Sequence, residues 1–242
     1  MMRKEKEETE ASWALRQVEA RNIDEAYRLT PHERIKALKA LGVEPQFIGI
    51  DLFASSINAV ADLYITQTMD AFTYDWSLLK LEGKPFLWAN PPFSMMEKVV
   101  SKLCLEPCQM VLCAPEWRDY PWWKPLDHIT VARVYLPPNC ALYVPDGSKH
   151  PLPPPNWRTM LSLVDTVKWP APSPTEEQTS WVRSHCLGKG LPELLREFSR
   201  DGHGEVLVTT RSGRVVATPE EDEGETDVPS SSSSLRPNSD PT

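Results

Sequence analysis

The chain of 242 residues predicts a mixed α/β fold around a parallel sheet, and three features carry that expectation. Short apolar runs recur from residue 47 onward. Two of them, at 86–89 and 110–114, flank an amphipathic stretch at 94–105. The first of these runs ends in Asn90-Pro91-Pro92-Phe93, a rigid polar-aromatic turn at the carboxyl end of a strand, where open α/β sheets bind ligands. The same turn can simply cap a buried strand, since prolines punctuate strands routinely.

The N-terminal residues 1–29 are charge-rich with scattered apolar positions, Trp13, Leu15, Val18 and Tyr27 among them, and read as a charged helical arm. The next helix carries start and stop signals: Thr30 can cap, Pro31 suits the first turn, Glu33 stands three residues after the cap, and Gly42 follows an Ile35-Leu38-Leu41 face. Strands are expected at 47–50, 63–65, 86–89 and 110–114. Between the last two, Met96, Val99, Val100 and Leu103 share one helical face while Glu97, Lys98, Ser101 and Lys102 lie opposite. Strand, turn, helix and strand make a βαβ unit, which joins parallel neighbours. Residues 129–136 and 140–144 read as a further strand pair.

Proline marks the later boundaries. The runs at 151–155 and 170–174 are extended connectors, so the compact α/β body is expected over 30–169. Residues 170–218 read as a Pro-rich linker with a short helix at 191–198 and a hairpin over 206–216. Residues 219–242, acidic and then serine-rich, read as a disordered tail.

The formal charge of -8 belongs mostly to that tail. Seven acidic residues against Arg236 give 219–242 a net -6, which leaves about -2 for the rest. Charge therefore neither favours nor excludes a nucleic-acid partner. Five cysteines, irregularly spaced and without a C-x-x-C pair, read as structural thiols in a reducing intracellular compartment, cytoplasmic or nuclear, and no metal site is expected. No stretch approaches the ~18 apolar residues of a membrane span.

Several side chains carry the chemistry. Asp51 closes the first strand and is followed by Phe53, Ala54, Ser55 and Asn58; Asp70 and Asp75 stand in Met69-Asp70-Ala71-Phe72-Thr73-Tyr74-Asp75-Trp76. A carboxylate at a strand's carboxyl end can hold an ammonium, a ribose hydroxyl or a metal ion, and equally can cap a turn. The tetrapeptide suits one reaction in particular. The lone pair of an exocyclic amine on a base is delocalised into the ring, so the amine reacts only when aimed. The Asn90 side-chain oxygen and the Pro91 carbonyl can each accept one N–H, and Phe93 can stack on an extruded base; Pro91 and Pro92 stiffen the turn and remove two donors. Trp117, Tyr120, Trp122 and Trp123, interleaved with Arg118 and Lys124, suit contact with a single strand or flipped base, or form a lid over the core.

These blocks, Asp51-Leu52-Phe53-Ala54-Ser55 with Asn58, Asp70 to Ser77, and Trp88 to Ser94, resemble in order and spacing the phage-type DNA N-6-adenine methyltransferase family over residues 45–125. They are also similar to methyltransferase-like segments of retroelement polyproteins, and residues 207–214 look like linker sequence of such polyproteins. The resemblance implies a Rossmann-like methyltransferase sheet with flanking helices, S-adenosylmethionine as cofactor near Asp51, Phe53, Ala54, Asn58, Asp70 and Asp75, and DNA as substrate at Asn90 to Phe93. The chain departs from the pattern in lacking a G-x-G after its first strand and in ending the tetrapeptide with Phe rather than Tyr. Two other functions fit the same residues: a catalytically inactive, retroelement-derived nucleic-acid-binding domain, and a ribonuclease-H-like nuclease holding metal on Asp51, Asp70 and Asp75.

Overall fold

A computed structural model describes residues 27–137, 141–145, 149–200, 207–210 and 213–216. The expected disordered tail, Cys140 and all but the last residues of the expected arm lie outside these.

The first described element is a strand, β1 (Tyr27–Leu29), where the end of a helical arm was expected. Thr30 precedes a proline, which disfavours helical backbone and keeps this entry extended. Helix α1 (Pro31–Ala40) follows, with Pro31 in its first turn and Gly42, at φ +71°, just beyond its end. Thr30 makes no side-chain capping bond, and Ile35 faces solvent while Ala37 and Leu38 are buried.

Next come β2 (Ile48–Asp51), β3 (Leu63–Tyr64), β4 (Phe86–Ala89), α2 (Met96–Leu105) and β5 (Gln109–Pro115), in the order and places the apolar runs mark. The amphipathic face of α2 lies in the core, with Met96, Val99, Val100 and Leu103 each at most 2% exposed. Gly49 sits at an irregularity in the pairing of β2 with β4. A β-carbon there would stand 2.8 Å from the Lys84 carbonyl oxygen, so only glycine admits this approach.

Downstream, the pairing differs from expectation. Helix α3 (Trp123–Ile129) leads into β6 (Thr130–Tyr135), which does not pair with residues 140–144. Instead β7 (Tyr143–Pro145) pairs antiparallel with β1, and β6 pairs antiparallel with β8 (Thr159–Asp165), a strand not among those expected although Met160-Leu161-Ser162-Leu163-Val164 is a short apolar run like the others. The six-stranded sheet runs β3-β2-β4-β5-β8-β6, with β8 alone reversed. The structure is thus a mixed α/β fold whose mostly parallel sheet is flanked by helices.

The apolar core does not stop near Trp169. Helix α4 (Glu176–His185) begins with a reciprocal capping box, in which Thr175 and Gln178 bond each other's backbone N–H at 3.2 and 3.0 Å. It lies against α2, where Gln178 Nε2 donates to Glu97 Oε1 at 3.3 Å. Helix α5 (Leu191–Arg200) buries Leu194, Leu195 and Phe198 in the same core. Its attachment includes Tyr74, whose hydroxyl donates to Glu197 at 2.5 Å while Lys189 pairs with the same carboxylate at 2.8 Å. Strands β9 (Leu207–Thr210) and β10 (Gly213–Val216) form the expected antiparallel hairpin. Among the described residues no helix is long and apolar enough to cross a membrane.

One ion pair stands inside this core. Lys102, fully buried on α2, meets Glu106 Oε1 at 2.5 Å, and Glu106 Oε2 accepts the Trp76 backbone N–H at 2.8 Å. The Lys102 ammonium also stands 5.3 Å from the Trp76 ring centre. Burial pushes the Glu106 carboxyl up, against the opposing pull of Lys102 and the Trp76 amide. With Lys102 and Trp76 as partners, this carboxylate joins the 76–78 turn to α2.

Candidate functional site at the carboxyl edge of the sheet

From β2 the chain steps to β3 on one side, then crosses to β4 on the other. That reversal is a topological switch point, and in open α/β sheets the crevice outside the strand ends opens there. Parallel register pairs Asp51 with Trp88, so Asp51 and the Asn90 to Phe93 turn leave the sheet side by side. The expected site residues on β2 and β4 are therefore brought together.

Asp51 is 2% exposed. Its Oδ1 accepts the Phe53 N–H at 3.2 Å and its Oδ2 the Val60 N–H at 3.0 Å. Burial raises its carboxyl to about 7, against the lowering pull of those two amides and of the Arg34 charge. With both oxygens turned to its own loop, Asp51 shapes residues 53–60 rather than reaching a ligand. Asn58 acts likewise, its Oδ1 accepting the Ser55 N–H at 2.7 Å, and Ala54 N–H closes the loop onto Ile65 O at 3.1 Å.

Asp70 and Asp75 cap short helical turns. Asp70 Oδ1 accepts the Phe72 N–H at 3.0 Å, and Asp75 Oδ1 accepts the Ser77 N–H and hydroxyl at 2.9 and 2.6 Å. Asp70 also has φ +55°, a left-handed backbone that costs a non-glycine residue about 1 kcal/mol or more. It is exposed, unlike Asp51. The three carboxylates are each used locally, and among the described residues no group of three His, Cys, Asp or Glu could hold a metal ion.

An adenosyl cofactor needs an apolar ring face and an acceptor for its ribose hydroxyls. Phe53, half-buried, meets Phe72 edge to face at 5.7 Å, and exposed Asp70 stands two residues before Phe72. Half-buried Phe53 and exposed Asp70 fit such a group; Phe72, 7% exposed and packed on Phe53, Trp76 and Trp181, backs the Phe53 ring instead, and both Asp51 oxygens are taken by their own loop.

On the β4 side, Asn90 is half-buried and Pro91 buried. Phe93 is 7% exposed, its ring enclosed edge to face by Trp117 at 5.6 Å, Trp157 at 5.7 Å and Tyr143 at 6.2 Å. A base cannot stack on it without displacing one of these rings. The expected contact tryptophans are also inside: Trp117, Trp122 and Trp123 are 6%, 3% and 8% exposed. The lid alternative describes them better, because an indole buries more apolar area than any other side chain. Arg118 and Lys124 remain at the surface.

Beside them stand residues that no local motif marks. Glu116, directly after β5, accepts hydrogens from Arg118 Nε and Nη2 at 2.9 and 2.6 Å, and Arg158 Nε donates to its other oxygen. Arg158 foremost, with Arg118, holds the Glu116 carboxyl down at about 2. Glu116 and Arg158 are 42 positions apart, and only the β5–β8 pairing joins them. The thiols of Cys108 and Cys113 are buried and pushed up to about 12, which makes them inert packing groups.

No protein-family model matches the chain, and no curated protein matches it.

Proposed function

We propose that the chain is a DNA adenine-N6 methyltransferase-like domain whose site lies at the switch point between β2 and β4. The observation that carries this reading is the adjacency of the Asp51 loop and the Asn90 to Phe93 turn at the carboxyl ends of neighbouring parallel strands. S-adenosylmethionine, when bound, supplies an electrophilic methyl group. Phe53 and Asp70 would hold it, with Phe72 packed behind Phe53, and Asp51 holds the loop that carries Phe53.

The Asn90 side-chain oxygen and the Pro91 carbonyl accept the two hydrogens of the base's exocyclic amine, which turns its lone pair outward. Pro91 and Pro92 lack N–H groups, so the turn offers acceptors and stays rigid. Asn90 is neutral, so it orients the amine without removing a proton. Phe93 supports the turn from beneath, packed on Trp117 and Trp157.

Calorimetry with S-adenosylmethionine, followed by methyl transfer to single-stranded DNA, tests the reading. Wild type gives binding heat and transfer, Asn90→Ala keeps the heat and loses transfer, and Asp70→Ala loses the heat. Absence of binding heat in the wild type refutes it.

A second reading, a retroelement-derived nucleic-acid-binding domain without catalysis, is favoured by the closure of Asp51 onto its own loop. It predicts oligonucleotide binding that ignores added cofactor.

A further inference from the structure

Past the switch point, the carboxyl edge carries an arginine pair of defined geometry. Pro115 is opposite Thr159 in the β5–β8 register, and the Glu116 N–H donates to the Arg158 carbonyl at 2.7 Å. The Glu116 side chain, 10% exposed, sits between guanidiniums that are 64% exposed for Arg118 and 45% for Arg158. Arg158 lies over the Tyr135 ring at 4.0 Å, and Arg118 is 5.7 Å from the centre of Trp123. A half-buried carboxylate and two ring faces thus hold both forks in place before any ligand arrives.

One carboxylate cannot neutralise two guanidiniums, so the clamp keeps one positive charge. Asp119, exposed, adds a negative charge at the rim. Together with Trp117 and Tyr120 these residues line an open depression of about 470 Å³. Tyr120 is half-buried and stacks on Trp117 at 4.9 Å, and the Trp117 indole nitrogen is buried without a hydrogen-bond partner.

We propose that Arg118 and Arg158, oriented by Glu116, clamp a backbone phosphate of single-stranded DNA, while Tyr120 gives a neighbouring base a ring to rest on. Paired, oriented guanidinium forks match phosphate oxygens in geometry as well as charge. Seated beside the Phe93–Trp117 contact, the clamp holds the strand next to the Asn90 turn. It deepens the reading given above and rests on it for the identity of the strand.

The test is fluorescence anisotropy of a dye-labelled single-stranded oligonucleotide with the full chain over a salt series. Arg118→Ala and Arg158→Ala each weaken binding about tenfold, the scale of one charge-assisted hydrogen bond, and flatten the slope of log affinity against log salt by about 0.7. Arg118→Lys keeps the charge but loses the fork, and falls between. Asp119→Asn, at an exposed position that leaves folding intact, tightens binding two- to threefold, on the scale of a surface charge effect. Wild-type affinity in both alanine variants, a salt slope unchanged by them, or no oligonucleotide binding at all overturns the clamp. Calorimetry with S-adenosylmethionine on the same proteins separates the two ideas. Cofactor heat with arginine-independent DNA binding overturns the clamp alone; arginine-dependent binding without cofactor heat overturns only the methyl-transfer reading.

Discussion

Asp51→Asn turns the geometry of the β2 loop into a measurable pH dependence. The folded protein keeps the Asp51 proton to pH about 7, whereas the ordinary carboxyl value is 3.8. Because the folded value is raised, the stability from this group is fully present below 3.8 and is lost as pH rises through about 7. At ~1.36 kcal/mol per pKa unit, the loss between pH 5 and pH 8 comes to about 2.5 kcal/mol. The substituted amide keeps one acceptor for the Phe53 or Val60 N–H, gives up the other at ~1 kcal/mol, and does not titrate in this range. The variant is therefore less stable than wild type at pH 5, and the gap closes and reverses by pH 8. Urea denaturation at pH 5, 6, 7 and 8 measures both proteins, and other titrating groups cancel in the difference. Parallel stability curves across that range would refute the account of Asp51 as a carboxyl desolvated by its own loop.

Three other substitutions probe the packing around the site. Glu106→Ala leaves the Lys102 ammonium buried without its partner and lowers stability by about 3–5 kcal/mol in urea melts, whereas the Lys102→Met/Glu106→Leu double variant recovers most of that loss. Phe93→Ala costs about 3–5 kcal/mol if the ring is the core residue its three aromatic neighbours make it; a change below about 0.5 kcal/mol in thermal melting would mean the ring is free to stack on a ligand. Tyr74→Phe removes the hydroxyl that Glu197 accepts, costs about 1–2 kcal/mol, and speeds amide hydrogen exchange in α5 before the central strands.

Local patterns carried much of the fold. The βαβ unit from β4 to β5 was legible because each part announces itself within a dozen residues: a contiguous apolar run for a strand buried on both faces, and a 3.6-residue period for α2. The capping box of α4 was equally present in the sequence, as Thr175 with Gln178 three residues on, and could have marked that helix. The partner of β6 was not legible. Residues 129–136 and 140–144 are near in sequence and apolar, yet β6 pairs with β8 and the nearer segment turns away to β1.

The Asn90 to Phe93 turn shows the same division. Its place at a strand's carboxyl end followed from the apolar run before it, and so did the stiffness of two prolines. That Phe93 and the tryptophans at 117, 122 and 123 face inward did not follow, because an aromatic residue on a loop has the same local pattern whether it packs or stacks. Asp51 likewise was marked by its position after a strand, while its commitment to the Phe53 and Val60 amides depends on how the loop returns over it.

Residue order alone was enough to mark β2, β4, α2 and β5, though not β8 between β5 and β6, and to say that Asp51 and Asn90 stand at strand ends. Three-dimensional packing was needed to make those ends neighbours across a reversal of strand order, to run β8 backwards between β5 and β6, and to gather Arg118 and Arg158 on Glu116. The physical reason is range. Propensity, periodicity and capping act over a few residues, whereas strand pairing, burial of a ring and the sharing of one carboxylate by two arginines are set by partners dozens of residues away.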